Sequence, residues 1–288
     1  MLFHTVEFAL LLALVLPLHF AMRRASAQNA LLLAASWLFY GWWDARYLVL
    51  LWTSTAVDFA VGLALGREAR PAARRWLVAA SMATNLGLLG FFKYWDLFAS
   101  TGNGFGQLLG IEHALLPELR LVLPVGISFY TFQTLAYTLD VYRRRFEPCR
   151  SLVDFALYVS FFPQLVAGPI ERPAHLLPAF ARRRSASAAN LEAGLFLFAT
   201  GWLRKALGDV AAQVADPAFA DPSGVGAWSL VWGLYAFSLQ IYLDFSGYTN
   251  MARGVARMLG IELMENFEAP YFSSSTREFW HRWHISLS

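Results

Sequence analysis

Apolar residues fall into runs long enough to cross a bilayer. About 20 mostly apolar residues make a spanning helix. Runs of that kind stand at 3–22, 28–43, 47–65, 76–98, 121–142, 190–207 and 225–248. They predict an all-α polytopic membrane protein with about seven transmembrane helices. The run 152–168 differs, because it is short and ends in Phe161-Phe162-Pro163-Gln164-Leu165-Val166-Ala167-Gly168-Pro169. Proline and glycine at that density break a helix. Broken backbone at membrane depth persists only inside protein or beside a water-filled cavity, so the pattern predicts a re-entrant segment. The stretches 99–120 and 208–224 are rich in Gly, Pro, Asp and small residues and read as loops. No internal repeat is evident, and neither loop sets off a soluble domain.

The C-terminal part has a different texture. Met251, Val255, Met258 and Leu259 recur at helical spacing, with Arg253 and Arg257 elsewhere. This predicts an amphipathic helix over 251–264 lying in the membrane interface. The stretch 264–271 then turns the chain. Ser273, Ser274, Ser275 and Thr276 offer N-caps, and Glu278 stands early in the next helix.

Composition sharpens the class. Hydrophobic residues make up 57% of the 288, and charged residues 15%, against about 25% in an average soluble domain. A soluble core cannot hide that much apolar surface. A disordered chain, a disulfide scaffold and an ordinary cytosolic enzyme are thereby excluded, and the one cysteine, Cys149, builds neither a disulfide nor a thiolate metal site.

Charge gives the orientation. Most of the 23 Lys and Arg lie in 23–29, 66–75, 143–151, 169–189 and the tail from 249. All five segments face the cytoplasm if the N-terminus is periplasmic and 152–168 dips in and returns. Basic residues confined to such loops do not read as nucleic-acid binding. Arg204 and Lys205 are the exception, at the outer end of a span, and read as snorkelling to the interface. Ala25-Ser26-Ala27 resembles a signal-peptide cleavage site. Glu7 before the apolar run, and Arg23-Arg24 after it, favour a retained first helix instead.

Ionisable groups inside a membrane need a reason. Asp58, Asp140, Glu192 and Asp244 lie in or near span ends. Asp140 stands three residues before Arg143, which predicts an ion pair. Asp244 sits beside Ser246 and Gly247, so helix packing through small residues competes with a site role. A final helix over 277–288 would place 277, 280, 281, 284 and 288 on one face, with Trp280 and His281 flanking His284. Three readings of His284 stand: a metal ligand, a base or donor-positioning group, or an imidazole that only hydrogen-bonds within the bundle. Glu278-x-x-His281 is a single unit, where a di-iron bundle needs two. The other histidines, His4, His19, His113 and His175, are scattered, so no metal site and no bound cofactor are expected.

Several stretches resemble the membrane-bound O-acyltransferase superfamily, and most closely its alginate O-acetyltransferase branch. They are Tyr40–Trp43, Phe92–Tyr94, Leu123–Phe132, Phe162–Ile170, Asp244–Tyr248, Met264–Phe267 and Phe279–Ser288. Nearly the whole chain is covered, so 1–288 reads as one transmembrane domain of that kind. The resemblance implies a bacterial inner-membrane enzyme with re-entrant pieces around a tunnel. It implies transfer of an acyl group, acetyl by expectation, from a cytoplasmic thioester (acetyl-coenzyme A or an acyl carrier) to hydroxyls of an extracytoplasmic polysaccharide. It further implies periplasmic acetyl-handling partners besides the lipids themselves. His284 maps onto the Trp-His position at the reaction centre, as a donor-positioning or second catalytic residue. Gln164, Asp244 and Asn266, polar groups inside matching stretches, are the substrate-binding candidates. Members of the family carry a second histidine in a Trp-His-Gly context, which none of the six histidines here matches. The expectation is a C-terminally incomplete member, inactive alone, whose Phe279, Trp280 and Trp283 lack part of their cover. A transporter and a non-catalytic scaffold subunit are the alternatives.

Overall fold

Among the described residues, four helices begin at a Ser or Thr whose hydroxyl accepts an amide of the first turn. The first cap is Thr5, which accepts from Phe8 at 3.4 Å. The computed structural model describes residues 1–111, 113 and 116–287, and among them the fold is helical, with one isolated bridge between Phe267 and Trp283. The N-terminal helices are α1 (Val6–Ala21), α2 (Ala25–Asp44), α3 (Leu48–Arg67), α4 (Pro71–Leu89), α5 (Trp95–Leu108) and α6 (Ile127–Tyr142). The broken middle is α7 (Leu152–Ser160), α8 (Phe162–Leu165) and α9 (Pro173–Ala181). The C-terminal part holds α10 (Ala188–Ala220), α11 (Ala227–Met258) and α12 (Thr276–Arg282). The stretches Ala25–Arg67 and Pro71–Leu108 are long and apolar enough to cross a membrane by length and composition.

One buried polar node ties α3, α4 and α6. The Asp58 carboxylate is sealed from solvent and accepts from Ser81 Oγ (2.5 Å), Asn85 Nδ2 (2.6 Å) and Thr138 Oγ1 (2.7 Å). Its acceptor sites are met by neutral donors, which is how a carboxylate is accommodated away from water. Asp58 is a packing element. At one end of the same bundle Arg74, 7% exposed, donates to the carbonyls of Leu65 and Tyr142, closing the C-termini of α3 and α6.

Helices α10 and α11 run antiparallel along a stripe of small residues at seven-residue spacing: Gly194, Gly201, Gly208 and Ala215 against Gly254 and Gly247. A Cβ on Gly201 would stand 2.5 Å from the Gly247 carbonyl oxygen, and one on Gly254 would stand 2.6 Å from that of Gly194. Only hydrogen at these positions lets the backbones touch. This packing corrects two expectations. The stretch 208–224 is helical as far as Ala220, because Gly208 and Ala218 continue the seam against Asp244 and Gly233. The stretch 251–264 is no separate interfacial helix. α11 continues unbroken to Met258, and Met251, Val255 and Met258 are buried. It ends in a Schellman turn, with Gly260 at φ +78 and the Ile261 amide on the Ala256 carbonyl at 2.9 Å. Arg253 and Arg257 pair with Glu265 and Glu262, each at 3.0 Å.

Three further expectations are corrected. Helix persists through 95–108, because residues 116–119 fold back over α5. Asn103 bonds the Leu116 backbone twice, and Asp96 accepts the Leu119 amide at 2.8 Å. Among the described residues Asp140 makes no ion pair with Arg143. Lys205 does not snorkel. It bonds Asp244 across the α10–α11 seam at 2.9 Å, and also Asp209.

Candidate active site

The site is built where α7 breaks. Phe161 leaves the helical region, Pro163 opens the single turn of α8, and the Phe162 amide is taken by Ser36 Oγ at 3.1 Å. The break frees the Tyr158 carbonyl, which two amides then satisfy: Gln164 Nε2 at 2.7 Å and Gln133 Nε2 at 2.6 Å. Gln164 therefore staples the break, and its Oε1 remains buried without a hydrogen-bond partner. Gly126, at φ +75, lies against the Leu165 carbonyl, where any Cβ would collide.

The chain after α11 closes over this turn. Asn266 is fully buried. Its carbonyl accepts the Ile285 amide at 3.0 Å, its Oδ1 accepts the Ser286 amide at 3.3 Å, and its Nδ2 reaches Thr249 Oγ1 at 3.5 Å. Ser286 Oγ accepts the Ile170 amide at 2.9 Å. The segment carrying His284 is thus bound to both the 264–268 loop and the turn after α8.

His284 itself differs from its expected setting. α12 ends at Arg282, and His284 stands at φ +48, a left-handed conformation that costs a non-glycine residue on the order of 1–3 kcal/mol. The single face of 277, 280, 281 and 284 is therefore not formed, and Ser288 lies outside the described residues. The reason is the pair of backbone bonds on either side: Glu268 N to Arg282 O, and Ile285 N to Asn266 O, both 3.0 Å. These hold the chain extended at Trp283, where a continued helix would break both. The ring packs edge-on to Phe245 at 4.8 Å, with Phe129 at 6.4 Å, and Nε2 is buried with no partner. Burial lowers the imidazole pKa below its usual 6.5. The result is a neutral imidazole, held in strain, with an unused nitrogen in an aromatic pocket.

Asp244 and His281 are not part of this arrangement. Asp244 faces α10 and its Lys205, about 100° round the helix from Phe245. His281 is exposed, while Glu278 is engaged by Arg282 at 2.6 Å and by the Ser274 amide. Ser275 is the cap of α12, from within the expected group. The aromatic residues of α12 have cover that the sequence did not promise. Phe279 stacks on Trp283 at 5.5 Å, and Trp283 meets Phe267 at 5.0 Å, while Trp280 stays 58% exposed.

Two clefts flank the turn after α8. One, of about 360 Å³, has Arg143, Arg145 and Arg172 in its wall with the acids Asp140 and Glu171, and reaches Ile170 and Ser286. Glu171 is fully buried, bonded to His175 Nδ1 at 2.6 Å and the Met264 amide at 2.5 Å. Burial raises its pKa. The other cleft, of about 470 Å³, is lined by Thr5, Tyr40, Trp42, Trp43 and Val125, and ends at Val166. The first follows α6 from Phe132 to Asp140 and on to Arg143, and the second meets the chain just before α6, at Val125. Spacing along the chain gave no sign that Phe129, Phe245, Thr249 and Ser286 converge, since they sit on three different elements.

The profile of the MBOAT, membrane-bound O-acyltransferase, family matches residues 144–288. The chain is 40% identical over 286 residues to a probable alginate O-acetylase of Pseudomonas putida, covering 96% of the chain and 57% of that relative. It is 34% identical to a peptidoglycan O-acetyltransferase of Helicobacter pylori, covering 100% of the chain and 60% of the relative. A teichoic acid D-alanyltransferase of Bacillus subtilis is 29% identical over 60% of the chain and 44% of its own length. The chain spans little more than half the length of the first of these relatives.

Proposed function

We propose that this chain, which belongs to the membrane-bound O-acyltransferase family, transfers an acetyl group from a cytoplasmic thioester to hydroxyls of an extracytoplasmic polysaccharide, alginate foremost. The observation that carries this reading is the unpartnered, neutral Nε2 of His284 in its Asn266-held loop. A buried polar atom left without a partner, at a strained residue, is a position where a ligand can supply the missing hydrogen bond. In the transfer, the acceptor hydroxyl oxygen bonds to the thioester carbonyl carbon, the carbon–sulfur bond breaks, and the hydroxyl proton ends on the departing thiol. A neutral imidazole serves this chemistry in either tautomer, by accepting a proton or by donating to the thioester carbonyl.

The two clefts support a conduit through which only the acyl group passes. The arginine-lined cleft suits a donor that carries phosphates, whether a coenzyme or a carrier's prosthetic arm. The aromatic cleft near Tyr40 suits a sugar acceptor. We place the arginine end in the cytoplasm and the N-terminus in the periplasm of a bacterial inner membrane. Residues 152–168 are then re-entrant among about seven spans. Periplasmic acetyl-handling proteins are the proposed partners. Against a transporter, Asp58 is sealed among neutral donors and Asp244 is neutralised by Lys205.

The test is polymer acetylation in alginate-producing cells that lack their own acetylase, supplied with this chain completed by the C-terminal part of the Pseudomonas putida relative. His284→Ala should abolish it at unchanged protein level, and H284A retaining ordinary acetyl content would refute the assignment.

A further inference from the structure

We propose that the pocket where α3, α4 and α6 meet holds the headgroup of an anionic phospholipid, with an acyl chain lying in the groove beside Trp76. This rests on the chain being embedded in a bilayer, and not on the acyl-transfer chemistry. The pocket has a volume of about 430 Å³, and Arg67, Arg74, Arg144 and Arg145 lie in its wall together with Glu68 and Glu147. Glu68 is already paired with Arg70 at 2.9 Å, which holds its carboxyl down to about 2. Arg74 donates to carbonyls alone, so a buried guanidinium charge stands at the floor with no carboxylate against it. Among the described residues Arg67, Arg144 and Arg145 form no ion pair. Glu147 is the one acid left against four guanidinium groups, and the pocket attracts an anion.

A free phosphate would use only that pocket. Arg67 and Glu68 also line a second, apolar groove of about 670 Å³, whose other walls are Ala64, Ala73, Trp76 and Leu77. Trp76 is 76% exposed, and exposed indole rings favour a membrane interface. A cationic pocket continuous with an apolar groove matches a molecule that joins a phosphate to a hydrocarbon chain. Basic pockets between membrane helices recognise headgroups in this way.

Native mass spectrometry of the purified protein in detergent tests the proposal. Phosphatidylglycerol should bind saturably, phosphatidylcholine should not, and glycerol 3-phosphate at equal concentration should not displace the bound lipid. Arg67→Gln with Arg144→Gln, both exposed side chains, should weaken phosphatidylglycerol retention roughly tenfold or more. Trp76→Ala should weaken it as well, while Arg182→Gln with Arg183→Gln should leave it unchanged. A circular dichroism melt confirms that each variant is folded. Equal retention of the two lipids, displacement by glycerol phosphate, or full retention by the folded R67Q/R144Q variant would each overturn it.

Discussion

The Asn266 carbonyl accepts the Ile285 amide at 3.0 Å, so a residue of the loop after α11 decides where the imidazole of the adjoining residue, His284, is aimed. The Asn266 side chain adds a second tie through the Ser286 amide. Asn266 is a positioning residue in this arrangement. Asn266→Ala removes the side-chain bonds and leaves the Thr249 hydroxyl and Ser286 amide short of a partner, at a cost of about 1–3 kcal/mol. Acetylation should fall with it, while Asn266→Asp, which keeps the Oδ1 acceptor, should retain more activity than N266A. Equal loss in both variants, measured as polymer acetyl content per mole of protein, would argue against the positioning role.

Because burial lowers the His284 pKa, the neutral form persists in the folded protein below pH 6.5. The acid limb of the acetylation rate, followed in membrane vesicles, should have its midpoint below 6.5. Linkage has the same sign. The unfolded chain binds more protons between the two pKa values, so this group's contribution to stability is complete above 6.5 and drains away as pH falls through the lower folded value. A midpoint at or above 6.5 would place the ring in water.

The seam between α10 and α11 allows a contrast between two glycines. Gly201→Val forces a side chain into the space 2.5 Å from the Gly247 carbonyl oxygen and should destabilise by about 1–3 kcal/mol or more. Gly87 lies in α4 with nothing within 4 Å of an added Cβ. Gly87→Ala should be neutral or stabilising by about 0.5–1 kcal/mol. Thermal melts in detergent give both values.

Removing the Asp58 carboxylate tests whether it packs the bundle or serves a pathway. Asp58→Leu orphans Ser81, Asn85 and Thr138 together, and the melting temperature should drop sharply, at about 1–3 kcal/mol for each stranded group. A well-folded D58L protein with altered substrate handling would revive the transporter reading.

Asp244 and Lys205 separate a structural pair from a site residue. Both are partly exposed, so Asp244→Asn should cost no more than about 1 kcal/mol. It should leave acetylation near that of the parent, unlike H284A. A loss as deep as that of H284A would bring Asp244 back into the active site.

What the sequence determined by itself is the solvent the chain expects, the family, and which stretches matter. Runs of apolar residues, the segregation of arginine into loops, and the Pro-Gly break after Phe161 are local facts that water and lipid read residue by residue. His284, Asn266 and Gln164 lay inside stretches that the structure brings to one turn. Tertiary structure decided the rest. Residues 208–220 and 251–258 are helical because a partner helix lies against their small residues, although composition alone marks the first as loop. Asp244 and Lys205 found each other across a seam that no spacing along one strand of sequence reveals. The orientation of His284 is set by backbone bonds to Asn266 and Glu268, which override the helical period that Thr276–Arg282 begins. Hydrogen bonds between distant backbone groups depend on how elements meet, and that information resides in packing.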